Sequence, residues 1–138
     1  MRQSQHTLSV RTNGKGLIEF TDDVARWLSQ EGYTVGVLTV FCRHTSASLL
    51  IQENADPSVL RDLKEFFERI APEYHPYAHD TEGPDDMPAH IRSALTQTSL
   101  SIPIVSGKMA LGTWQGIYLF EHRSAPHVRQ VVLHVVGD

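Results

Sequence analysis

The stretch Arg43–Pro57, RHTSASLLIQENADP, decides how the chain is read. Before it runs TVGVLTVFC at 34–42, rich in β-branched and aromatic residues and therefore a strand. After a short polar break, ASLLIQE at 47–53 supplies a second strand, expected to lie beside the first. Asp56 and Pro57 then open a helix, because the carboxylate can accept from free amides and proline occupies the first turn without losing a hydrogen bond. The many hydrogen-bonding groups around Leu49, Leu50 and Ile51 are either turn and cap chemistry or the wall of a site.

On the N-terminal side, QHTLSVR at 5–11 and GLIEF at 16–20 read as strands around the turn TNGKG, a hairpin opening the chain. Thr21 is the expected N-cap of a helix carrying Asp22 and Asp23 in its first turn. Val24, Trp27 and Leu28 fall at helical spacing, and Gly32 is the stop. On the C-terminal side, Val59, Leu60, Leu63, Phe66, Phe67 and Ile70 form the buried face of a helix ending at Pro72. The segment PEYHPYAHDTEGPDDMPAH at 72–90 has no period, yet it holds His75, His79 and His90 of the eight histidines, and so long a loop within a compact domain marks function or mobility. A short helix over 88–96 and strands near 99–105, 114–122 and 128–136 complete the order ββαββααβββ. This predicts one α+β domain over 1–138, with a mainly antiparallel mixed sheet and about three helices.

Composition narrows the class. Of 138 residues, 41% are hydrophobic and 20% charged, which supports a packed core rather than a disordered chain. A formal charge of −4 without a dense Lys/Arg block argues against nucleic acid as partner. No apolar run approaches the roughly 20 residues of a membrane span, and MRQSQHTLSV lacks a signal-peptide layout, so no membrane and a cytoplasmic location are expected. The lone Cys42 sits among Val, Leu and Phe and reads as a small core residue rather than a nucleophile.

Strand periodicity places Leu38, Val40, Cys42 and His44 on one face, with His44 at the mouth of an apolar surface. In the strand near 114–122 both faces carry apolar groups, and they end in Glu121 and His122, as at the edge of a site. His44, His79 and His90 could supply three nitrogens to a metal with an open position for water or a phosphate oxygen, although dispersed histidines more often serve as core or surface groups. Glu53, Asp80, Asp85, Asp86 and Glu121 could ligate, orient an imidazole or accept a proton. Asp86, just before MPAHI, also reads as a helix cap, and Asp80 beside His79 stands between function and structure. HTSAS lacks the GxSxG elbow of a serine nucleophile, so Ser46 and Ser48 bind a ligand oxygen or close the turn. In GTWQG at 112–116, Gln115 can donate and accept, with a β-bulge as the equal alternative.

Three long motifs, RHTSASLLIQENADP, HDTEGPDDMPAHIRSALTQTSLSIPI and LGTWQGIYLFEHR, resemble in order and spacing the YjbQ-like family, and the likeness covers essentially the whole chain. The resemblance implies a compact α+β fold assembled as a homotrimer, and a weak thiamine-phosphate synthase activity joining a pyrimidine diphosphate to a thiazole phosphate. His44, His79 and His90 fall on the family's histidine positions and are the implied metal ligands. Asp80, Glu121 and His122 fall on its other polar positions and are the candidate catalytic groups. Thr45, Ser46, Ser48, Glu53, Asn54, Thr113 and Gln115 are the candidate contacts to a phosphorylated small-molecule substrate. The expected cofactor is a divalent metal, zinc by the softness of imidazole ligands, with magnesium as an alternative beside a diphosphate. Metal-assisted hydrolysis of a phosphorylated metabolite and noncatalytic metal or metabolite binding stay open as alternatives, since all three need histidines, acids and a concave site.

Overall fold

The computed structural model describes residues 1–138. Its elements run β1 (Arg2–Thr12), β2 (Gly16–Glu19), α1 (Thr21–Glu31), β3 (Gly36–Cys42), β4 (Ala47–Glu53), α2 (Pro57–Ile70), α3 (Asp86–Leu95), β5 (Ser99–Val105), β6 (Lys108–Met109), β7 (Gln115–Glu121) and β8 (His127–Gly137). This is the α+β fold with three helices that the sequence predicts, with one addition. The two-residue β6 turns back on β5, pairing Ile104 with Met109 and Val105 with Lys108. No helix is long and apolar enough to cross a membrane.

The strands form two antiparallel sheets, one of order β1-β8-β3-β5-β6 and one of order β2-β7-β4. That division corrects two expectations about pairing. β1 and β2 make no hairpin: β1 pairs with β8 along its whole length, and β2 pairs with β7. Nor are β3 and β4 neighbours, since β3 lies between β5 and β8 while β4 pairs with β7. In both places the polar break does more than reverse the chain; it hands the chain from one sheet to the other. Gly14 permits the first transfer with φ of +120°, where a Cβ would also stand 3.0 Å from the carbonyl oxygen of Ser124.

One apolar cluster fills the space to which both sheets contribute. Leu38, Val40 and Cys42 of β3, Ile102 and Ile104 of β5 and Val131, Leu133 and Val135 of β8 join Leu49 of β4, Ile117 and Leu119 of β7 and Val24 and Leu28 of α1. The opposite face of the three-stranded sheet is covered by α2 and α3: Phe67 of α2 packs edge-on against Phe120 of β7, with ring centroids 5.2 Å apart. Both faces of β7 are therefore buried, which explains why it is apolar on both. Cys42 is a core residue, its thiol donating to the Ala47 carbonyl at 3.5 Å, and burial pushes its pKa up.

Local chemistry sets the helix ends. Asp56 caps α2 by accepting from the Ser58 amide at 2.9 Å, and Gly32 ends α1 in the left-handed conformation at φ +74°. Thr21 is not the cap of α1 but its first residue. Its hydroxyl donates to Glu19 and accepts from the Ile117 amide, tying the helix start to β7. α3 begins at Asp86, two residues before the expected start, because Pro88 is accommodated deeper in the first turn, where its missing N–H still breaks no helical bond.

Removing the ring that joins α2 to the sheet tests this packing. Phe120→Ala should lower the unfolding free energy by about 3–5 kcal/mol, measured by urea denaturation; a loss under 1 kcal/mol would mean that the contact between helix and sheet is not holding α2 in place.

Candidate metal centre

The nonperiodic segment before α3 folds back so that His79 meets the first turns of that helix. Asp86 and His90 lie four residues apart on α3 and therefore share a face. His79, Asp86 and His90 each offer one ligand atom, all within 4.8 Å of one another. The two imidazole Nε2 atoms converge on one carboxylate oxygen: Asp86 Oδ2 stands 2.6 Å from His79 and 3.3 Å from His90. The rings are 5.4 Å apart at 69°. Asp86 Oδ1 accepts from Arg123 Nη1 at 2.7 Å, so the carboxylate is oriented from behind and presents its other oxygen to the histidines. Asp85 accepts from Arg123 Nε and the Ser124 amide, which fixes the arginine in turn. Glu82 Oε2 lies 3.2 Å from His79 on the solvent side.

The electrostatics fit an anionic site. Burial opposes ionisation of Asp86, but the His79 hydrogen bond and the Arg123 charge outweigh it, and its pKa falls below the usual carboxylate range. The hydrogen bond to Asp86 raises the pKa of His79. Two imidazoles and one oxygen, with a carboxylate held by an outer arginine, form a donor set suited to zinc-class ions.

The expected triad is thus corrected at one position. His44 does not join His79 and His90; it follows β3, and its Nε2 accepts from the Gln130 amide at 2.8 Å, which commits that lone pair. Burial first, and then the Arg129 charge, lower its pKa, so it is held neutral. Asp86 instead lies beside His79 and His90. The signal for it was in the sequence as the i, i+4 spacing to His90, but an aspartate before an apolar run reads equally as a cap.

The remaining candidates occupy separate places. Asp80 lines a cavity of about 300 Å³ with His79, His75 and Tyr77, beside the cluster. Thr45 and Ser46 line an open concavity of about 570 Å³ with His44 and Thr98. Glu53 and Asn54 stand where β4 meets α2: Glu53 accepts from the Asp56 amide and Asn54 donates to Glu19. Gln115 pairs in register with Glu53, and its side chain closes its own loop by accepting from the Gly112 amide, while the neighbouring Thr113 is exposed.

Glu121, His122 and Ser48 are interior groups: two of the three expected catalytic groups and one expected substrate contact are buried away from solvent. Glu121 is wholly buried and accepts from Arg129 Nε at 2.7 Å, from Arg129 Nη2 and from Thr12 Oγ1 at 2.7 Å. Burial works against its charge, but these donors hold its pKa below the usual value, so it is not a free base. His122 is also wholly buried, with Nε2 against Ser48 Oγ at 2.8 Å. Burial, reinforced by the Arg92 charge, lowers its pKa from 6.5 to about 3.

The YjbQ family model, described as "UPF0047 protein YjbQ-like", matches residues 6–138. The chain is 56% identical over 138 residues to the UPF0047 protein sll1880 of Synechocystis, covering 99% of this chain and 94% of that one. It is 40% identical to UPF0047 protein YjbQ of Escherichia coli O157:H7 over 97% of this chain and 98% of that one. Among solved structures, a YjbQ/UPF0047 protein of Clostridium acetobutylicum superposes with a TM-score of 0.84 at 36% identity, covering 96% and 99% of the two chains. A YbjQ-like protein of unknown function from Sulfolobus solfataricus shares the fold, with a TM-score of 0.88 at 18% identity over 99% and 100%. These findings overturn the expected thiamine-phosphate synthase activity: the relatives are described only as UPF0047 or YjbQ-like proteins, of unknown or uncharacterised function.

The buried His122 makes a distinct acid signature. Below pH 6.5 the unfolded chain binds a proton that the folded chain refuses until about pH 3, so stability present above 6.5 falls as pH drops through that window, by up to about 1.4 kcal/mol per unit. His44 acts in the same direction, and His79, with its raised pKa, in the opposite one. The difference between wild type and His122→Gln isolates His122. Wild type should lose about 2 kcal/mol more than the variant between pH 6.5 and 5, and the His122 ring resonances should keep neutral-form shifts throughout; parallel losses or a titrating ring would contradict the assignment.

Proposed function

We propose that this chain, which belongs to the UPF0047 YjbQ-like family, binds a divalent transition metal of the zinc class through His79, Asp86 and His90. The observation that carries the reading is the convergence of two imidazole Nε2 atoms on the single oxygen Asp86 Oδ2, whose carboxylate is held from the other side by Arg123. Neutral imidazoles favour zinc over magnesium, and the buried carboxylate supplies the negative charge that keeps a dication in place. The set provides three protein ligands, one of which, His79, lines a cavity of about 300 Å³, and three ligands leave a coordination position for a small ligand. An ion there would act as a Lewis acid. Arg123 and Asp85 serve by orienting Asp86, and Glu82 stands on the open side.

The protein as purified should contain about one zinc per chain by elemental analysis, the stoichiometry of a single three-ligand site. Asp86→Ala and His90→Ala should be metal-free after dialysis, while His44→Ala and His75→Ala keep the wild-type content. Arg123→Gln should weaken zinc about 10–100-fold by releasing the carboxylate. Wild-type protein that neither carries nor takes up zinc, or a His44→Ala variant that loses it, would defeat this reading.

The homotrimer expected from the resemblance is also proposed, and the outer face of the five-stranded sheet supports it. Val37 and Phe41 of β3, Val105 of β5 and Val128 of β8 lie there, each more than 40% exposed. No helix covers this face, where Val136 and Val132 of β8 stand opposite Val37 and Phe41, and exposed apolar side chains on an uncovered sheet mark a contact surface. Copies of the same chain are the proposed cover. Light scattering should give three times the chain mass, and Phe41→Glu should shift the species to monomer; a wild-type monomer across a broad concentration range would sink the idea.

A further inference from the structure

We infer that the cleft between the loop Asn13–Gly16 and the first turns of α2 is a binding site for a small organic phosphate. This cavity of about 630 Å³ has eleven lining residues, four of them cationic (Arg11, Lys15, Arg61 and Lys64) and none acidic. In a chain of formal charge −4, a third of the twelve Lys and Arg residues thus face one concavity. Like charges brought together repel, and the usual structural reason for tolerating this is pairing with acids. Only Lys15 has that reason here, bonding to Glu73 at 2.9 Å and Glu68 at 3.4 Å. Arg11, Arg61 and Lys64 make no ion pair and no side-chain hydrogen bond, so their donors are free for a ligand.

The backbone brings these charges close. Arg61 and Lys64 are three residues apart on α2 and share a face. The Lys64 ammonium lies 3.9 Å from where a Cβ on Gly16 would stand, so the glycine leaves the mouth of the cleft open beside the charge. A second observation points inward. A small recess of about 10 Å³ shares Lys15, Gly16 and Lys64 with the cleft and is lined also by Glu68 and by Arg92, whose Nη2 donates to the Ala71 carbonyl and stands 3.4 Å from Glu68 but whose buried Nε has no hydrogen-bond partner. One unsatisfied guanidinium N–H behind a cleft that holds three unpaired cations is a feature that an oxyanion satisfies.

The lining also limits the ligand's class. Leu17, Ile18 and Leu60 give an apolar wall that an inorganic ion would not use but the organic part of a phosphate ester would. The concave form and the chain's overall negative charge favour a small molecule over a nucleic-acid strand, which calls for an extended basic track. The site is independent of the metal reading, because it contains none of His79, Asp86 and His90.

Phenyl phosphate and inorganic phosphate are the probes, titrated into the protein as purified and followed by amide NMR and calorimetry. Both should bind saturably, with shifts centred on residues 13–18 and 60–64, and phenyl phosphate should bind the tighter. Arg61→Gln/Lys64→Gln should weaken both at least about tenfold, as expected for losing two charged donors, while the charge-conserving Arg61→Lys/Lys64→Arg stays within a few-fold of wild type. His90→Ala should leave the affinity unchanged whatever its zinc content. Absence of localised shifts, equal affinity in the glutamine variant, or loss in both double variants would overturn the proposal. A single-stranded decanucleotide that binds more tightly than phenyl phosphate, with shifts spreading beyond the cleft, would overturn the assignment to a small molecule.

Discussion

The buried ion pair between Glu121 and Arg129 holds the two sheets to one another at the end where the functional groups gather. Glu121 closes β7 in the three-stranded sheet, Arg129 belongs to β8 in the five-stranded sheet, and Thr12 of β1 completes the set of donors to the carboxylate. Arg129 also donates to Ser46, securing the crossing between β3 and β4. A carboxylate with no solvent contact is tolerated because it accepts from guanidinium, hydroxyl and two backbone amides at once. Stranding either charge by removing its partner would cost about 3–5 kcal/mol. The pair therefore fixes where the sheets can meet.

From that pair a continuous set of bonds reaches the histidine cluster. Glu121 Oε2 accepts from the Arg123 amide, the Arg123 side chain donates to Asp85 and Asp86, and Asp86 faces His79 and His90. The geometry of the candidate metal centre is thus set by the sheet rather than by the loop that supplies His79. This matters because a loop alone would lose conformational freedom on binding an ion, whereas Asp86 and His90 are placed beforehand on α3. Lys15 makes a comparable link on the other side: it lines the basic cleft and bonds to Glu73, which lines the cavity containing His79. The two candidate sites are neighbours through one salt bridge.

The histidines show how environment rather than residue type assigns a role. His122 and His79 begin from the same ordinary pKa, yet burial drives one down to about 3 and a carboxylate partner draws the other up. The first is a neutral spacer in the interior, bonded to Ser48. The second is half exposed and electrostatically tied to an acid. His44 lies between them, neutral because it is part-buried beside Arg129, its acceptor taken by a backbone amide.

What the sequence determined by itself was local. The capped start of α2 at Asp56, the glycine stop of α1, the apolar stripe of α2 and the order of the main strands all follow from spacings of a few residues, where propensity, capping and periodicity act. His79, Asp86 and His90 stand within twelve residues of sequence, and the two histidines were legible as candidate ligands. Asp86 was one of five acids that could ligate and was not singled out, because a cap and a ligand have the same local signature. Pairings between distant residues were decided only by the tertiary structure. The exchange of strands between sheets depends on which apolar faces can be covered together, a property of the whole core. The same holds for the burial of Glu121 and His122, whose alternation at the end of β7 reads identically whether the strand end faces solvent or a second sheet. The basic cleft is the extreme case: Arg11, Lys15, Arg61 and Lys64 come from two segments some 50 residues apart, and only the packing of α2 against the first crossover brings their charges to one place.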